Sequence, residues 1–164
     1  RLIKVLSAGE RQRVALLLSV LNTPELLILD EAFSNIDPIF WENIWEYIAP
    51  PERTVIFTSH NWEILSRHAT RIMFLHNGEQ LGEILSPQEH LNKVPGKNKI
   101  VCAFSRTMAQ HIKESNLISY NLDNKISLFP ADNEHIIELL KNENYSIEAI
   151  NLKDVFMLYK SKKI

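Results

Sequence analysis

Two short apolar runs set the frame for this chain. Leu26-Leu27-Ile28-Leu29 stops abruptly at Asp30-Glu31, and Thr54-Val55-Ile56-Phe57-Thr58 stops at Ser59-His60. A continuous apolar run of this length reads as a strand buried on both faces, the pattern of parallel sheets. Helical patterns flank both runs. Residues 10–21 place Val14, Leu17, Leu18 and Leu21 at i, i+3, i+4 and i+7, which predicts an apolar helix face. Ser7 and Glu10 fit an S-x-x-E capping box at its start, and Asn22-Thr23-Pro24 stops it. Residues 38–48 read as a second helix with Pro38 in its first turn and Pro50-Pro51 past its end. A third follows at about 61–68. This strand–helix alternation predicts an α/β layer around a parallel sheet. Such sheets bind ligands at the carboxyl ends of their strands, where both polar pairs fall.

The rest of the chain has a different rhythm. Residues 71–75 and 79–85 form an expected hairpin turning at Asn77-Gly78. Residues 87–98, with Val94-Pro95-Gly96-Lys97, read as a helix-containing linker. Beyond it we read strand 99–105, helix 106–115, strands 117–121 and 125–129 around Asp123-Asn124, helix 132–143, strand 145–150 and helix 152–160. That order is βαββαβ plus one helix, the ferredoxin-like order.

Several functions are excluded early. The chain has four glycines: Gly9, Gly78, Gly82 and Gly96. A P-loop, G-x-x-x-x-G-K-[ST], needs two glycines five apart, the second followed by Lys. Only Gly96 precedes a Lys, Leu91 stands five before it, and Asn98 follows Lys97. No P-loop is present, and no two glycines are two apart, as G-x-G-x-x-G requires. The single cysteine, Cys102, rules out an internal disulfide and fits a reducing compartment. Even the longest apolar runs, such as Val14 to Leu18, are far below the ~18 residues of a membrane span. A net charge of −2 gives no basis for a nucleic-acid partner. Residues 1–90 carry 12 acidic and 7 basic residues, and residues 91–164 carry 8 and 11, which hints at two modules. A start at Arg1 is expected of a fragment or a processed chain.

Asp30-Glu31 and His60 have two readings on the residues alone. Adjacent acids at the tip of a buried strand either face solvent in a capping turn or engage a cation and a water. A lone His after a strand is either a satisfied loop residue or a ligand-facing group. His68, His76, His90, His111 and His135 show no metal spacing and read as structural.

The order of segments adds to this. Leu6-Ser7-Ala8-Gly9-Glu10-Arg11-Gln12-Arg13 resembles the signature motif of ABC-type ATPases. Leu26 to Glu31 resembles their Walker B strand, Ser34-Asn35-Ile36-Asp37 their D-loop, and Thr58-Ser59-His60 their switch histidine. The four motifs run in family order over residues 1–86. The resemblance implies the C-terminal part of a P-loop-type ABC ATPase domain in residues 1–86, with the Walker A and Q-loop upstream. A linker at 87–98 and a small α+β ferredoxin-like domain at 99–164 complete the expected organisation. Leu152-Lys153-Asp154-Val155-Phe156-Met157-Leu158-Tyr159 is similar to the L-E-D-V-F-L-x-L ending of bacterial ABC exporter ATPases.

The resemblance also implies site roles. ATP and Mg²⁺ are the implied ligands of the complete domain. Two nucleotide-binding subunits sandwich ATP head to tail, so Ser7, Ala8, Gly9 and Glu10 would meet the γ-phosphate held by the second subunit. Asp30 would hold Mg²⁺ through water. Glu31 would orient or deprotonate the attacking water, and His60 would contact the γ-phosphate. Ser34 and Asp37 would form the D-loop that couples the two sites. The expected partners are that second subunit and a transmembrane permease. The expected place is the cytoplasm, at the inner face of the membrane. Two departures from the family pattern are Ala8 for a glycine and Glu10 for a glutamine; Ala32-Phe33 also replaces a Pro-containing pair. The transported substrate is not legible. The alternatives are a soluble ABC-type ATPase that transports nothing, and a regulatory or dimerisation module.

Overall fold

The computed structural model describes residues 3–34, 36–115, 117–132, 134–141 and 144–164. Compactness divides the chain into Arg1–Ile64 and Leu65–Ile164. The first unit holds α1 (Ala8–Val20), β1 (Leu26–Leu29), α2 (Pro38–Ile48) and β2 (Thr54–Phe57). Helix α3 (Trp62–His68) spans the division.

In the first unit the sequence signals work locally. Ser7 caps α1 with both arms of the capping box: its Oγ accepts from the Glu10 amide at 3.2 Å, and Glu10 Oε2 accepts from the Ser7 amide at 2.8 Å. Asp37 caps α2 by accepting from the Ile39 amide at 2.8 Å, with proline in the first turn. β1 and β2 pair in parallel, Leu26 opposite Thr54 through Leu29 opposite Phe57. Arg53 fastens the approach to β2, donating to the carbonyls of Pro24 (2.7 Å), Tyr47 (2.7 Å) and Ile48 (3.0 Å). It thereby satisfies carbonyls at the open end of α2.

Two expectations about burial are corrected. β1 is covered on one face only: Leu27 and Leu29 are buried, while Leu26 and Ile28 are exposed, as is Ile56 on β2. The buried face packs with Leu16, Phe33, Ile36, Trp41, Ile48 and Ile64. Phe33 stacks on Trp41 at 4.0 Å between ring centres, and Phe57 meets Phe33 edge-on at 5.6 Å. The second correction concerns α1. Its core residue is Leu16, whereas the expected stripe of Val14, Leu17, Leu18 and Leu21 is exposed. Apolar side chains surround this helix, so spacing alone did not single out the covered side.

The second unit contains β3 (Ile72–His76), β4 (Glu79–Leu85), α4 (Pro87–Asn92), β5 (Asn98–Ala103), α5 (Arg106–Ser115), β6 (Ser119–Leu122), β7 (Lys125–Leu128), α6 (Glu134–Leu139), β8 (Tyr145–Ala149) and α7 (Leu152–Lys160). The expected linker thus contains α4, whose own capping box joins Ser86 and Glu89. The β3–β4 hairpin turns at Asn77 (φ 50°) and Gly78 (φ 80°), and β6–β7 turns at Asp123 (φ 48°) and Asn124 (φ 62°). Both pairs place two successive residues in the left-handed region, as a tight I′ hairpin turn requires. α6 is shorter than the expected 132–143.

The larger sheet runs β6-β7-β5-β8 with every neighbour antiparallel. Ile100, Cys102, Ile126 and Leu128 on one face pack with Met108 of α5 and with Ile136 and Leu140. Helix α7 uses both ends. Near its start, Asp154 is fully buried and accepts from Lys99 Nζ (2.7 Å), the Tyr120 hydroxyl (2.6 Å) and the Asn151 amide (2.8 Å). Burial, and then the bond to Asp154, push the Tyr120 phenol up, so it stays protonated and donating. Near its end, Tyr159 and Phe156 pack on Phe74 of β3, and His90, fully buried, lies 3.1 Å from the Ile72 carbonyl through Nε2.

One glycine is forced by this packing. Gly82 has φ 66°, and a Cβ there would sit 2.6 Å from the Tyr159 ring. Gly82→Ala is expected to cost roughly 1–3 kcal/mol from backbone strain and overpacking. Denaturant unfolding checks this; unchanged stability would show that α7 yields freely.

Candidate functional site

The ends of β1 and β2 bring four polar side chains together. Past β1 the chain turns at Asp30 and Glu31; past β2 it continues through Thr58 to His60. Pairing extends beyond the ladder, since the Thr58 amide donates to the Leu29 carbonyl at 2.9 Å. The Thr58 hydroxyl donates to Asp30 Oδ1 at 2.5 Å and accepts from the Glu31 amide at 2.9 Å. Glu31 Oε2 lies 2.9 Å from His60 Nδ1. Both side chains are open to solvent, with 43% of the Glu31 side chain and 77% of the His60 side chain exposed. With Glu31 ionised, His60 Nδ1 carries the proton of this bond, which leaves Nε2 facing away from the carboxylate.

The Glu31 backbone is unusual. Its φ is +46°, in the left-handed region that a residue with a side chain rarely occupies. Its carbonyl accepts from Gln12 Nε2 (3.0 Å), from the Ser34 hydroxyl (2.7 Å) and from the Ser34 amide (3.1 Å). Gln12 lies on α1, two residues past the Glu10 of the capping box.

The remaining sequence-derived candidates fall nearby in the chain. Ser7, Ala8, Gly9 and Glu10 form the start of α1, where backbone amides point out of the helix end. The bonds to the Ser7 amide and hydroxyl hold the Glu10 carboxyl below its ordinary range, in that order of size. Among the described residues, no hydrogen bond or ion pair joins Ser7–Glu10 directly to Asp30, Glu31 or His60. Ser34 bonds the Glu31 carbonyl, Asp37 caps α2, and Asn35 lies outside the described residues. Gln12 and Thr58 belong to the quoted motifs, but sequence reasoning gave neither a role. Thr58 carried the available signal, a hydroxyl two residues before the histidine at a strand end. Among the described residues no group of three or more His, Cys, Asp or Glu is arranged to hold a metal, and no helix is long and apolar enough to cross a membrane.

Comparison with known proteins places these residues in context. The sequence model of the ABC transporter family matches residues 1–34. The chain is 36% identical over 91 residues to the glycine betaine/proline betaine transport system ATP-binding protein ProV of Escherichia coli, covering 53% of this chain and 22% of that protein. It is 28% identical over 169 aligned positions to the spermidine/putrescine import ATP-binding protein PotA of Aster yellows witches'-broom phytoplasma, covering 99% of this chain and 38% of that protein. It is 28% identical over 125 residues to the methionine import ATP-binding protein MetN 2 of Listeria innocua, covering 73% of this chain and 35% of that protein. The chain therefore spans well under half the length of these relatives. Ordered motifs, family match and relatives agree in their direction: the chain is similar to the ATP-binding proteins of ABC transporters.

Proposed function

We propose that this chain supplies the catalytic carboxylate, the switch histidine and the signature surface of a transport ATPase that works as a dimer beneath a transmembrane permease. The carrying observation is the Glu31–His60 pair, which two parallel strands hold at their carboxyl ends. Glu31 orients or deprotonates the attacking water. His60, held through Nδ1, turns Nε2 toward the γ-phosphate. These are the positioning and electrostatic tasks of phosphoryl transfer. Mg²⁺ supplies charge neutralisation on the phosphates when bound. Asp30 fits such an ion: it is one exposed carboxylate, and Mg²⁺ takes one or two carboxylates and fills its other positions with water and phosphate.

At the start of α1, Ser7, Ala8, Gly9 and Glu10 present helix-end amides to the triphosphate held by the second subunit. The Glu10 carboxylate bonds back onto the Ser7 amide, which engages its charge within the cap. Ser34 and Asp37 carry the D-loop role of coupling the two sites, alongside the bonds they make here. Residues 1–86 form the ATPase segment, 87–98 a linker, and 99–164 a small ferredoxin-like module. The order β6-β7-β5-β8, with α5 between β5 and β6 and α6 between β7 and β8, supports that last reading. The protein works at the inner face of the membrane through its permease, without nucleic acid. Export is supported by the Leu152–Tyr159 ending. Import is the second reading, supported by the import named in two relatives.

Two measurements test the central claim. The chain by itself lacks a triphosphate loop and is expected to release no phosphate from ATP. The complete ATPase containing it is expected to hydrolyse ATP in proportion to added Mg²⁺. Metal-dependent hydrolysis by the isolated chain, or none by the complete protein, would sink the proposal.

A further inference from the structure

We infer that Thr58, Gln12 and Ser34 are positioning residues that clamp Glu31 in a strained backbone conformation and so aim its carboxylate at the reacting water. The inference rests on the ATPase reading above and goes beyond it by assigning roles to Thr58 and Gln12.

The argument starts from the outlier. Glu31 has φ +46° without being glycine, a conformation that L side chains avoid. Such a residue persists only where its surroundings over-determine it. The surroundings here do so from both sides of the residue. The Thr58 hydroxyl takes up the Glu31 amide, and Gln12 and Ser34 converge on its carbonyl. The partners come from distant parts of the sequence: the donor Gln12 is 19 residues before Glu31 and the acceptor Thr58 is 27 after it. Only the Ser34 contacts are local, closing a turn from Glu31 to Ser34.

The strain has a geometric result. In a continued strand the Glu31 side chain would point opposite to Asp30. The left-handed turn instead leaves Glu31 Oε2 2.9 Å from His60 Nδ1. Thr58 does two things with one oxygen, donating to Asp30 and accepting from Glu31, so the two acids of the motif share a single anchor on the neighbouring strand. Gln12 links the signature helix to the same peptide. A hydrogen-bonded path therefore runs from α1, through the Glu31 backbone, to the end of β2. None of the three clamping residues needs to touch nucleotide to act. Their effect is on where the carboxylate stands, and misplacement by an ångström lowers the rate of an oriented reaction about a hundredfold.

The test uses the complete ATPase containing this chain, with kcat and KM for ATP measured separately. Thr58→Val keeps the shape and removes the hydroxyl; it is expected to lower kcat about tenfold to a hundredfold with KM within about twofold. Thr58→Ser restores the hydroxyl and is expected to recover kcat to within about threefold of the parent. In the same complete ATPase, hydrogen exchange of the Glu31 amide is expected to speed up about tenfold in Thr58→Val, because its acceptor is gone. A Thr58→Val enzyme with kcat unchanged, or a Ser variant no better than Val, overturns the clamp, as does unchanged exchange. Glu31→Gln separates the two claims. If it abolishes turnover while Thr58→Val does nothing, the clamp fails and the ATPase reading stands. If Glu31→Gln leaves turnover intact, the ATPase reading itself fails.

Discussion

Glu31→Gln is expected to reduce steady-state ATP hydrolysis by the complete ATPase at least ~1,000-fold while leaving ATP binding intact. The exchange keeps size and hydrogen-bonding reach but removes the charge that accepts a proton, and a general base contributes roughly 10²–10⁴ in rate. Because the amide still bonds His60, the site keeps its shape and the loss appears in kcat rather than KM. Bound ATP then persists, and the dimer that sandwiches it is expected to accumulate. Size-exclusion chromatography with Mg-ATP, beside a phosphate-release assay, checks both outcomes. Normal turnover would remove Glu31 from catalysis. His60→Ala sharpens the comparison: it removes the ring nitrogen that lies 2.9 Å from the Glu31 carboxylate, so it is expected to lower kcat less than Glu31→Gln but in the same direction.

The second large effect belongs to the second unit. Asp154→Ala is expected to destabilise the second unit by about 3–5 kcal/mol, the usual cost of leaving one partner of a buried ion pair behind. Lys99, 7% exposed, would lose its 2.7 Å contact and keep Glu148 at 3.5 Å. Tyr120 would lose its acceptor, and the Asn151 amide its cap. For a unit of this size the shift corresponds to roughly 12–40 °C in Tm. The double variant Lys99→Met with Asp154→Leu removes both charges, and replacing a buried pair by apolar residues is often neutral. It is therefore expected to recover part of the loss. Equal damage from the single and double variants would show that shape and the helix cap, rather than the stranded ammonium, set the cost.

At both sites the sequence discloses the motif but not the contacts that shape it. The family motifs, the Ser7–Glu10 cap, helix α2 and both tight hairpins are legible because each depends on residues within a few positions. Asn77-Gly78 and Asp123-Asn124 tolerate positive φ by their own chemistry, so their turns announce themselves. Glu31 does not. Nothing about a glutamate suggests a left-handed backbone; the conformation is held by Gln12 and Thr58, and such tertiary partners leave no local mark. The same holds for Asp154, whose partners Tyr120 and Lys99 stand 34 and 55 residues away. It reads as one letter of a tail motif, while its physical role is to gather a lysine, a phenol and a helix start around one carboxylate. The one-sided cover of β1 is hidden for another reason. Leu26-Leu27-Ile28-Leu29 states that both faces are apolar and is silent about what reaches each of them.

That uncovered side has a practical consequence. Leu26, Ile28 and Ile56 lie bare on a two-stranded parallel sheet, a size that rarely stands alone in water. Such a surface is adhesive toward any apolar face, including the same face of another molecule. Its fate is then a race. Coverage within one molecule proceeds at a rate independent of dilution, while sticking between molecules accelerates with concentration. Working dilute and cold, where apolar attraction weakens, favours monodisperse material; concentrating and warming the same sample favours precipitate.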